Sequence, residues 1–252
     1  MRHLTALWLL LRGGAHLLAG WWTIRTRFAR LTPAEREACV RQWARALLQL
    51  WRIDLQVRGQ PPVQGPLLLV ANHISWLDIL VLHAAGFCRF VAKSDIRRWP
   101  VIGALATGAG TLYIERASRR DALRVVHHMK DALLRGEVVA VFPEGTSSDG
   151  VALLPFHANL IQAAISANAP VQPAALRFVD ARTGQPSLAP IYVGEQTLLG
   201  SIWRTLAAPG LRAELSYGQP QWPQGRQRRA WADDLRAEVQ TLRDGEKALN
   251  RL

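Results

Sequence analysis

The chain has little of the chemistry that marks several common protein classes. Only two of its 252 residues are cysteines, Cys39 and Cys88, so a disulfide-rich secreted domain is excluded. We predict both thiols to be small buried hydrophobes rather than a disulfide pair. The sequence also has no Gly-x-Ser-x-Gly elbow, Walker A loop or His-Glu-x-x-His helix. These absences argue against the hydrolases, nucleotidases and zinc proteases that such motifs define.

Acidic residues are scarce as well. There are 19 Asp and Glu against 31 Lys and Arg, a net charge of +12, which attracts anionic lipid headgroups, phosphorylated substrates or nucleic acid. Ten tryptophans favour the water–lipid interface. Zinc-finger spacing, an RNP-like strand and a Gly-x-x-Gly clamp are all missing. We therefore predict a membrane lipid bilayer as partner and no nucleic acid. A non-catalytic basic lipid- or nucleic-acid-binding protein is the alternative from another class.

The N-terminal region has no uninterrupted apolar run of the ~20 residues that a simple transmembrane helix needs. Residues 4–24 are apolar, but Arg12, His16 and three glycines interrupt them, and an arginine cluster follows the tryptophan pair at 21–22. A second helix is predicted from Thr32 as N-cap and Pro33 as first helical residue. We predict that residues 1–52 are two helices docking into one leaflet. A hairpin packed on the protein's own core is the alternative.

From residue 53 onward, strand and helix patterns alternate. The strand predictions are 53–57, 67–71, 87–92, 111–114, 138–142, 171–178 and 211–217, and the helix predictions are 76–85, 121–135 and 157–167. The continuous apolar runs at 67–70 and 138–141 are typical of central strands covered on both faces. We predict an α/β domain at 53–222 with a mixed, largely parallel sheet flanked by helices. Residues 223–252 are predicted to be a basic C-terminal helix with a mainly solvated face.

Two short polar segments follow buried strands, where α/β proteins place their ligands. In the first, His73 and Asp78 are five apart and do not share a helix face. They can meet only if His73 lies in the turn and Asp78 in the first helical turn, which would leave one imidazole nitrogen free as a general base. The second segment is 142–150, in which Glu144 lies on a glycine-containing turn. Each signal is weak by itself.

Taken in order, these segments resemble the glycerolipid acyltransferase family typified by bacterial lysophosphatidic acid acyltransferases. Asn-His-four residues-Asp is matched at 72–78, and Phe-Pro-Glu-Gly-Thr at 142–146. A middle block is similar at 91–93 and 110–116, and a proline-containing late strand at 171–175. The resemblance spans roughly residues 66–179, and the N-terminal helices resemble the membrane-docking arm of bacterial members.

The resemblance implies an acyltransferase that moves a fatty acyl group from acyl-CoA or acyl-carrier protein to the hydroxyl of a lysolipid. His73 would be the general base and Asp78 its partner, with no metal and no cofactor beyond the acyl donor. The implied substrate-binding residues are Asn72, Lys93, Arg116, Glu144, Gly145 and Thr146. Among them, Lys93 and Arg116 would clamp an acceptor phosphate, and Glu144 with Gly145 would position the acceptor. The implied location is the cytoplasmic face of a bacterial inner membrane, monotopic or with a single N-terminal anchor.

One departure concerns the acceptor. Phosphate-binding members commonly continue Phe-Pro-Glu-Gly-Thr with arginine, whereas this chain has Ser147. The acceptor implied first is 1-acylglycerol-3-phosphate, giving phosphatidic acid. Lyso-ornithine lipid or another lysolipid is the alternative, because the continuation from Ser147 is similar to that subset. His157 is predicted to begin a helix near the site, with a structural role favoured over a catalytic one.

Overall fold

The computed structural model describes residues 2–114 and 119–249. Its helices are α1 (Arg2–Thr26), α2 (Pro33–Leu50), α3 (Leu77–Ala85), α4 (Ile102–Gly108), α5 (Arg119–Leu134), α6 (Ala158–Ala167), α7 (Leu198–Ala207) and α8 (Arg228–Leu249). Its strands are β1 (Ile53–Arg58), β2 (Leu67–Ala71), β3 (Arg89–Lys93), β4 (Leu112–Ile114), β5 (Val138–Val141), β6 (Val171–Asp180) and β7 (Leu211–Tyr217). Short 3-10 helices cover Phe28–Arg30 and Ser94–Arg98.

All seven strands form one sheet in the order β1-β7-β6-β2-β5-β3-β4. Every neighbouring pair is parallel except β6 and β7, which are antiparallel. The prediction of a mixed, largely parallel sheet is therefore confirmed. Because β2, β5, β3 and β4 are parallel neighbours, the loops that follow them lie along one edge.

Side chains of the central strands alternate between two cores, one on each face of the sheet. Leu67 and Leu69 of β2 join the core under α1, α2, α3 and α7. Leu68 and Val70 join the core under α5, α6 and α8. A strand that is buried on both faces has no side chains facing solvent, which is why β2 and β5 are uninterrupted apolar runs in the sequence.

Helix α1 packs on α2 through two glycines separated by two helical turns. A Cβ on Gly13 would lie 2.5 Å from the indole nitrogen of Trp51, and one on Gly20 would lie 2.5 Å from that of Trp43. The glycines that interrupt the apolar run thus let two tryptophan rings approach the α1 backbone. The inner face of α1 packs on the protein's own core, as in the hairpin alternative, since Ala6 and Leu9 belong to the core.

The outer face of α1 is apolar and exposed. Leu4, Trp8, Leu11, Leu18 and Trp22 recur at helical spacing, and the exposed fractions of Leu11 and Trp22 are 64% and 63%. None of the helices in the described part of the chain combines the length and apolar character that crossing a bilayer requires. The stripe is of the kind found on helices that lie in a membrane interface.

Two parts of the fold differ from the expectations. Helices α4 and α7 were not predicted; α7 is capped by Thr197, whose hydroxyl accepts the Gly200 N–H at 3.2 Å. Helix α8 was expected to be mainly solvated, but Trp231, Leu235 and Val239 are buried at i, i+4 and i+8. The mixed charges on the other positions obscure this apolar face in the sequence.

Candidate active site

His73 and Asp78 meet at the edge of the sheet that follows β2. His73 lies in the turn between β2 and α3, and Asp78 is in the first turn of α3. The Nδ1 atom of His73 lies 2.8 Å from Oδ2 of Asp78. This is the arrangement that the five-residue spacing required. With Nδ1–H donating to the carboxylate, Nε2 is the nitrogen left to accept a proton.

The Asp78 carboxylate is completely buried and is held by the backbone of the same turn. Its Oδ2 also accepts the N–H groups of Ile74 at 2.7 Å and Ser75 at 2.9 Å. Its Oδ1 has no hydrogen-bond partner in residues 2–114 and 119–249. These bonds fix the carboxylate and, through it, the orientation of the imidazole.

Phe142 forms the other support for the His73 ring. The two rings stack with centroids 4.1 Å apart and planes 8° apart. Phe142 belongs to the Phe-Pro-Glu-Gly-Thr segment, but no role was predicted for it. A flat apolar surface under the imidazole restricts rotation of the ring while 22% of the His73 side chain stays exposed.

Glu144 joins the two motif segments through backbone hydrogen bonds. Its Oε1 accepts the His73 N–H at 2.7 Å, and its Oε2 accepts the Leu154 N–H at 2.8 Å. The side chain is buried, and this burial raises the pKa of the carboxyl above its usual value although the two N–H donors oppose the shift. Glu144 was predicted to contact the acceptor; the structure gives both its oxygens to the loops that carry the site.

The side chain of Asn72, like that of Glu144, is buried and hydrogen-bonded to the backbone. It is fully buried, its Nδ2 donates to the Leu176 carbonyl at 3.1 Å, and its Oδ1 accepts the Leu176 N–H at 2.7 Å. The side chain therefore ties the end of β2 to β6. Because Asn72 is fully buried, a substrate has no direct access to its side chain in this arrangement.

Of the four other predicted substrate-binding residues, the structure describes three. Lys93 is exposed at the end of β3, and Thr146 is exposed after Gly145, which has a φ of +74°. A Cβ at Gly145 would lie 2.9 Å from the His157 ring, so a larger residue would displace that ring. Arg116 lies outside the described residues.

Further hydrogen bonds that the sequence did not indicate hold the segment after Glu144. The Ser148 N–H donates to the His73 carbonyl at 2.8 Å, and the Ser147 hydroxyl donates to the Tyr192 carbonyl. Arg236 and Arg243 of α8 donate to the carbonyls of residues 150, 151, 153 and 154. The sequence does not distinguish these two arginines from ordinary surface charges, because only the fold shows which carbonyls they reach.

A cavity of about 990 Å³ opens beside this edge of the sheet. Its lining includes a group of polar residues that are exposed or partly exposed, and we call this group the mouth: His73, Lys93, Thr146, Ser147 and His157. Much of the remaining lining is apolar and includes Ile24 and Phe28 before α2, Trp43 and Leu47 of α2, and Leu80 of α3. A histidine held by a carboxylate thus lines a cavity with a largely apolar wall. Within the described ranges no three His, Cys, Asp or Glu side chains are grouped so as to hold a metal ion.

A histidine–carboxylate pair at the mouth of an apolar cavity is an arrangement that suits an enzyme acting on a lipid-like substrate. The chain belongs to the acyltransferase family, whose model matches residues 54–177. A lyso-ornithine lipid O-acyltransferase of Pseudomonas aeruginosa is 37% identical over 191 residues, covering 75% of this chain and 72% of that protein. A 1-acyl-sn-glycerol-3-phosphate acyltransferase of Neisseria meningitidis is 40% identical over 189 residues, covering 73% and 72%.

A solved structure supports the same fold. The crystal structure of the 1-acyl-sn-glycerophosphate acyltransferase PlsC from Thermotoga maritima matches with a TM-score of 0.70. The match covers 96% of this chain and 98% of that one at 20% sequence identity. The predicted family, enzyme class and fold are thus confirmed. The roles of individual site residues stay predictions.

Proposed function

We propose that this acyltransferase moves a fatty acyl group from acyl-CoA or acyl-carrier protein to the hydroxyl of a lysolipid. The observation that carries the proposal is the His73–Asp78 pair at the mouth of the apolar cavity. A base at that position can reach a hydroxyl at the entrance while the acyl chain lies inside. The cavity walls remove the chain from water, which favours binding in proportion to the apolar area buried.

His73 supplies the proton transfer in this mechanism. As the acceptor oxygen attacks the thioester carbonyl, Nε2 of His73 takes the hydroxyl proton, and the charge of Asp78 stabilises the imidazolium that forms. The tetrahedral intermediate then collapses with formation of the ester C–O bond and cleavage of the C–S bond. The proton on His73 passes to the departing thiolate. General base catalysis of this kind is worth ~10²–10⁴-fold.

Asn72, Glu144 and Gly145 support the site by position rather than by substrate contact. Glu144 fixes the backbone of His73, and Asn72 fixes the end of the strand before it. The remaining groups of our substrate-binding assignment, Lys93 and Thr146, line the cavity mouth, where a headgroup would lie. Arg116 is proposed as an anion clamp from the motif match alone.

We assign 1-acylglycerol-3-phosphate as the first acceptor and lyso-ornithine lipid as the second. Lys93 at the mouth suits a phosphate. The second acceptor is favoured by Ser147, because its hydroxyl is bonded to the Tyr192 carbonyl and no guanidinium stands at that position. The two relatives differ in the acceptor that their names give, so likeness to them does not choose between the two lipids.

Loss of His73 is the test of mechanism. We expect His73→Ala to stay folded by circular dichroism and to lose at least 10²-fold of thiol release from acyl-CoA in the presence of lysolipid. His127→Ala is the matched control, because His127 is an exposed histidine on α5 outside the cavity. Near-normal transfer by folded His73→Ala would refute the general-base assignment.

A panel of acceptors tests the headgroup. Purified enzyme is given one acyl donor and, in separate reactions, 1-acylglycerol-3-phosphate, lyso-ornithine lipid and a lysolipid with a neutral headgroup. The first acceptor is supported if 1-acylglycerol-3-phosphate has the highest kcat/KM. A higher value with lyso-ornithine lipid would replace it by the second.

We also propose that the exposed stripe of α1 docks into the cytoplasmic leaflet of a bacterial inner membrane. Deleting α1 is a poor test, because Ala6 and Leu9 belong to the core. Leu11→Glu is cleaner: we expect it to weaken sedimentation with anionic vesicles about tenfold or more by removing apolar area and adding charge. Leu188→Glu is the control, since Leu188 is equally apolar and 70% exposed elsewhere. Equal losses for both variants would contradict docking through α1.

A further inference from the structure

A histidine lies in the apolar wall of the cavity with no hydrogen bond to the described residues. His83, on α3, is 5% exposed and lines the cavity. Its Nδ1 is buried and has no partner in the described part of the chain. A buried polar atom left unpaired costs free energy, so such atoms are rare in native proteins and call for a specific explanation.

Three other polar groups of the cavity lining are bonded to the backbone. The indole N–H of Trp43 donates to the His16 carbonyl at 3.3 Å, and that of Trp51 donates to the Leu9 carbonyl at 3.2 Å. The Thr23 hydroxyl donates to the Ala19 carbonyl at 2.9 Å. His83 has no comparable bond within the described residues.

The surroundings of His83 are aromatic. The ring of Phe90 meets it edge-on at a centroid distance of 5.0 Å, and that of Phe87 lies at 6.0 Å. Burial lowers the pKa of His83 to about 4, so the imidazole is neutral at physiological pH. A neutral imidazole has one N–H donor and one acceptor nitrogen, which suits a hydroxyl group that can both accept and donate.

His83 is well separated from the catalytic pair but lies along the same wall. The ring of Phe142 stacks on His73, and the ring of Phe90 lies 5.7 Å from Phe142, with His83 beyond it. Along α3, the five residues from Asp78 to His83 rise about 7.5 Å. The ring contacts thus lead from His73 to His83 through two phenylalanines, so His83 is not placed to share the proton transfer.

We propose that His83 hydrogen-bonds a hydroxyl group in the middle of the fatty acyl chain, so that the enzyme accepts hydroxylated acyl donors. The inference rests on the proposed function, in which the cavity holds the acyl chain. A hydroxyl near the thioester would lie beside His73 and Phe142, short of His83. A mid-chain hydroxyl would meet an unpaired imidazole instead of a purely apolar wall, and this removes most of the penalty for burying it.

Direct competition between two donors tests the proposal. The full-length enzyme, one lysolipid acceptor and equal amounts of stearoyl-CoA and mid-chain hydroxystearoyl-CoA are mixed, and the two products are counted by mass spectrometry. We expect His83→Phe to lower the ratio of hydroxylated to plain product about tenfold, the scale of discrimination set by one neutral hydrogen bond. His83→Gln, which keeps a donor and an acceptor, should restore most of the ratio.

Two controls make the result specific. His127→Phe, outside the cavity, should leave the product ratio at the wild-type value. The 3-hydroxy isomer of the donor should be insensitive to His83→Phe, because its hydroxyl lies near the reacting carbonyl. A ratio that His83→Phe does not change, or an equal fall with the 3-hydroxy donor, would overturn the proposal.

A binding measurement separates this inference from the proposed reaction. Stearic acid and mid-chain hydroxystearic acid are titrated against a fluorescent fatty acid bound to the full-length protein, without acceptor. We expect His83→Phe to weaken the hydroxylated acid about tenfold relative to stearic acid. If acyl transfer fails while this selectivity is found, only the reaction assignment is wrong. Equal changes for both acids would refute the role of His83.

Discussion

The polar edge of the sheet and the helical wall of the cavity use opposite strategies. At the edge, each carboxylate and amide side chain of the site is tied to backbone groups, as with Asp78 to the turn after β2 and Glu144 to two loops. The helical wall is built mainly from apolar and aromatic side chains, and Nδ1 of His83 in it has no hydrogen-bond partner among the described residues. The edge holds polar side chains in fixed positions, whereas the wall provides an apolar surface.

This difference predicts how substitutions will act. Hydrogen bonds are directional, so small changes at the edge should lower the rate while substrate selection is kept. Apolar packing depends on volume, so changes in the wall should alter which donor is used and leave the chemistry intact. The predictions that follow test this division.

Asp78→Asn should give the largest effect, about 10³-fold in kcat. Asparagine can place its oxygen where Oδ2 now accepts bonds and its amide where Oδ1 has no partner, so the change mainly removes the charge that stabilises the imidazolium. Steady-state thiol release measures it. Asp149→Asn, an exposed aspartate that accepts the Val151 N–H, should keep near-normal activity. A kcat for Asp78→Asn within tenfold of wild type would refute the role of the charge.

Glu144→Gln should lower kcat by about 10²-fold with little change in KM. Both oxygens of Glu144 accept a backbone N–H, so the amide of glutamine must oppose one donor and loosen the segment that carries His73. Glu195→Gln, at an exposed glutamate, is the control. If Glu144 instead binds the acceptor directly, KM for the lysolipid would rise and kcat would change less.

His83 predicts a stability change with pH. Its folded pKa of about 4 lies below the ordinary 6.5, so the unfolded chain takes up the proton first as pH falls. The contribution of neutral His83 to the free energy of unfolding is complete above pH 6.5 and is lost between pH 6.5 and 4. From pH 7 to pH 5 the loss is about 2 kcal/mol. Denaturant unfolding at the two pH values should show a smaller loss for His83→Phe than for wild type; equal losses would contradict the shifted pKa.

Ala106→Phe should give the smallest effect, a shift of about tenfold toward shorter acyl donors. Ala106 is on α4 and lines the cavity, and the added ring takes volume from the apolar space. Competition between stearoyl-CoA and decanoyl-CoA measures the shift. Ala104→Phe, on the same helix but outside this cavity, should leave the preference unchanged. Equal slowing with both donors would indicate damage to the fold instead.

The central strands of the sheet could be predicted from the sequence. The runs at 67–70 and 138–141 have the composition of strands covered on both faces, and both are central strands of the sheet. The five-residue spacing showed which turn geometry His73 and Asp78 would need in order to meet, and the structure has that geometry. Helices α4 and α7 were not predicted, and both pack against α1, which is distant from them in sequence.

The hydrogen-bond partners of Glu144 could also be identified only from the tertiary structure. Its motif placed it near His73, but the two backbone amides that occupy its oxygens come from segments ten and seventy-one residues away. The same holds for Arg243, whose carbonyl partners are ninety-two and ninety-three residues distant. Charge and spacing along the chain do not encode which backbone groups a folded loop presents.

The sequence by itself indicated where the strands lie along the chain, the turn that His73 and Asp78 would need in order to meet, and the resemblance to the acyltransferase family. These depend on local patterns, namely apolar runs, turn residues and short motifs. Only the tertiary structure decided that α1 packs glycines on tryptophans, that α8 holds the loop after Glu144, and that Nδ1 of His83 has no partner within residues 2–114 and 119–249. The physical reason is that burial and hydrogen-bond satisfaction arise from groups distant in sequence, which no local pattern specifies.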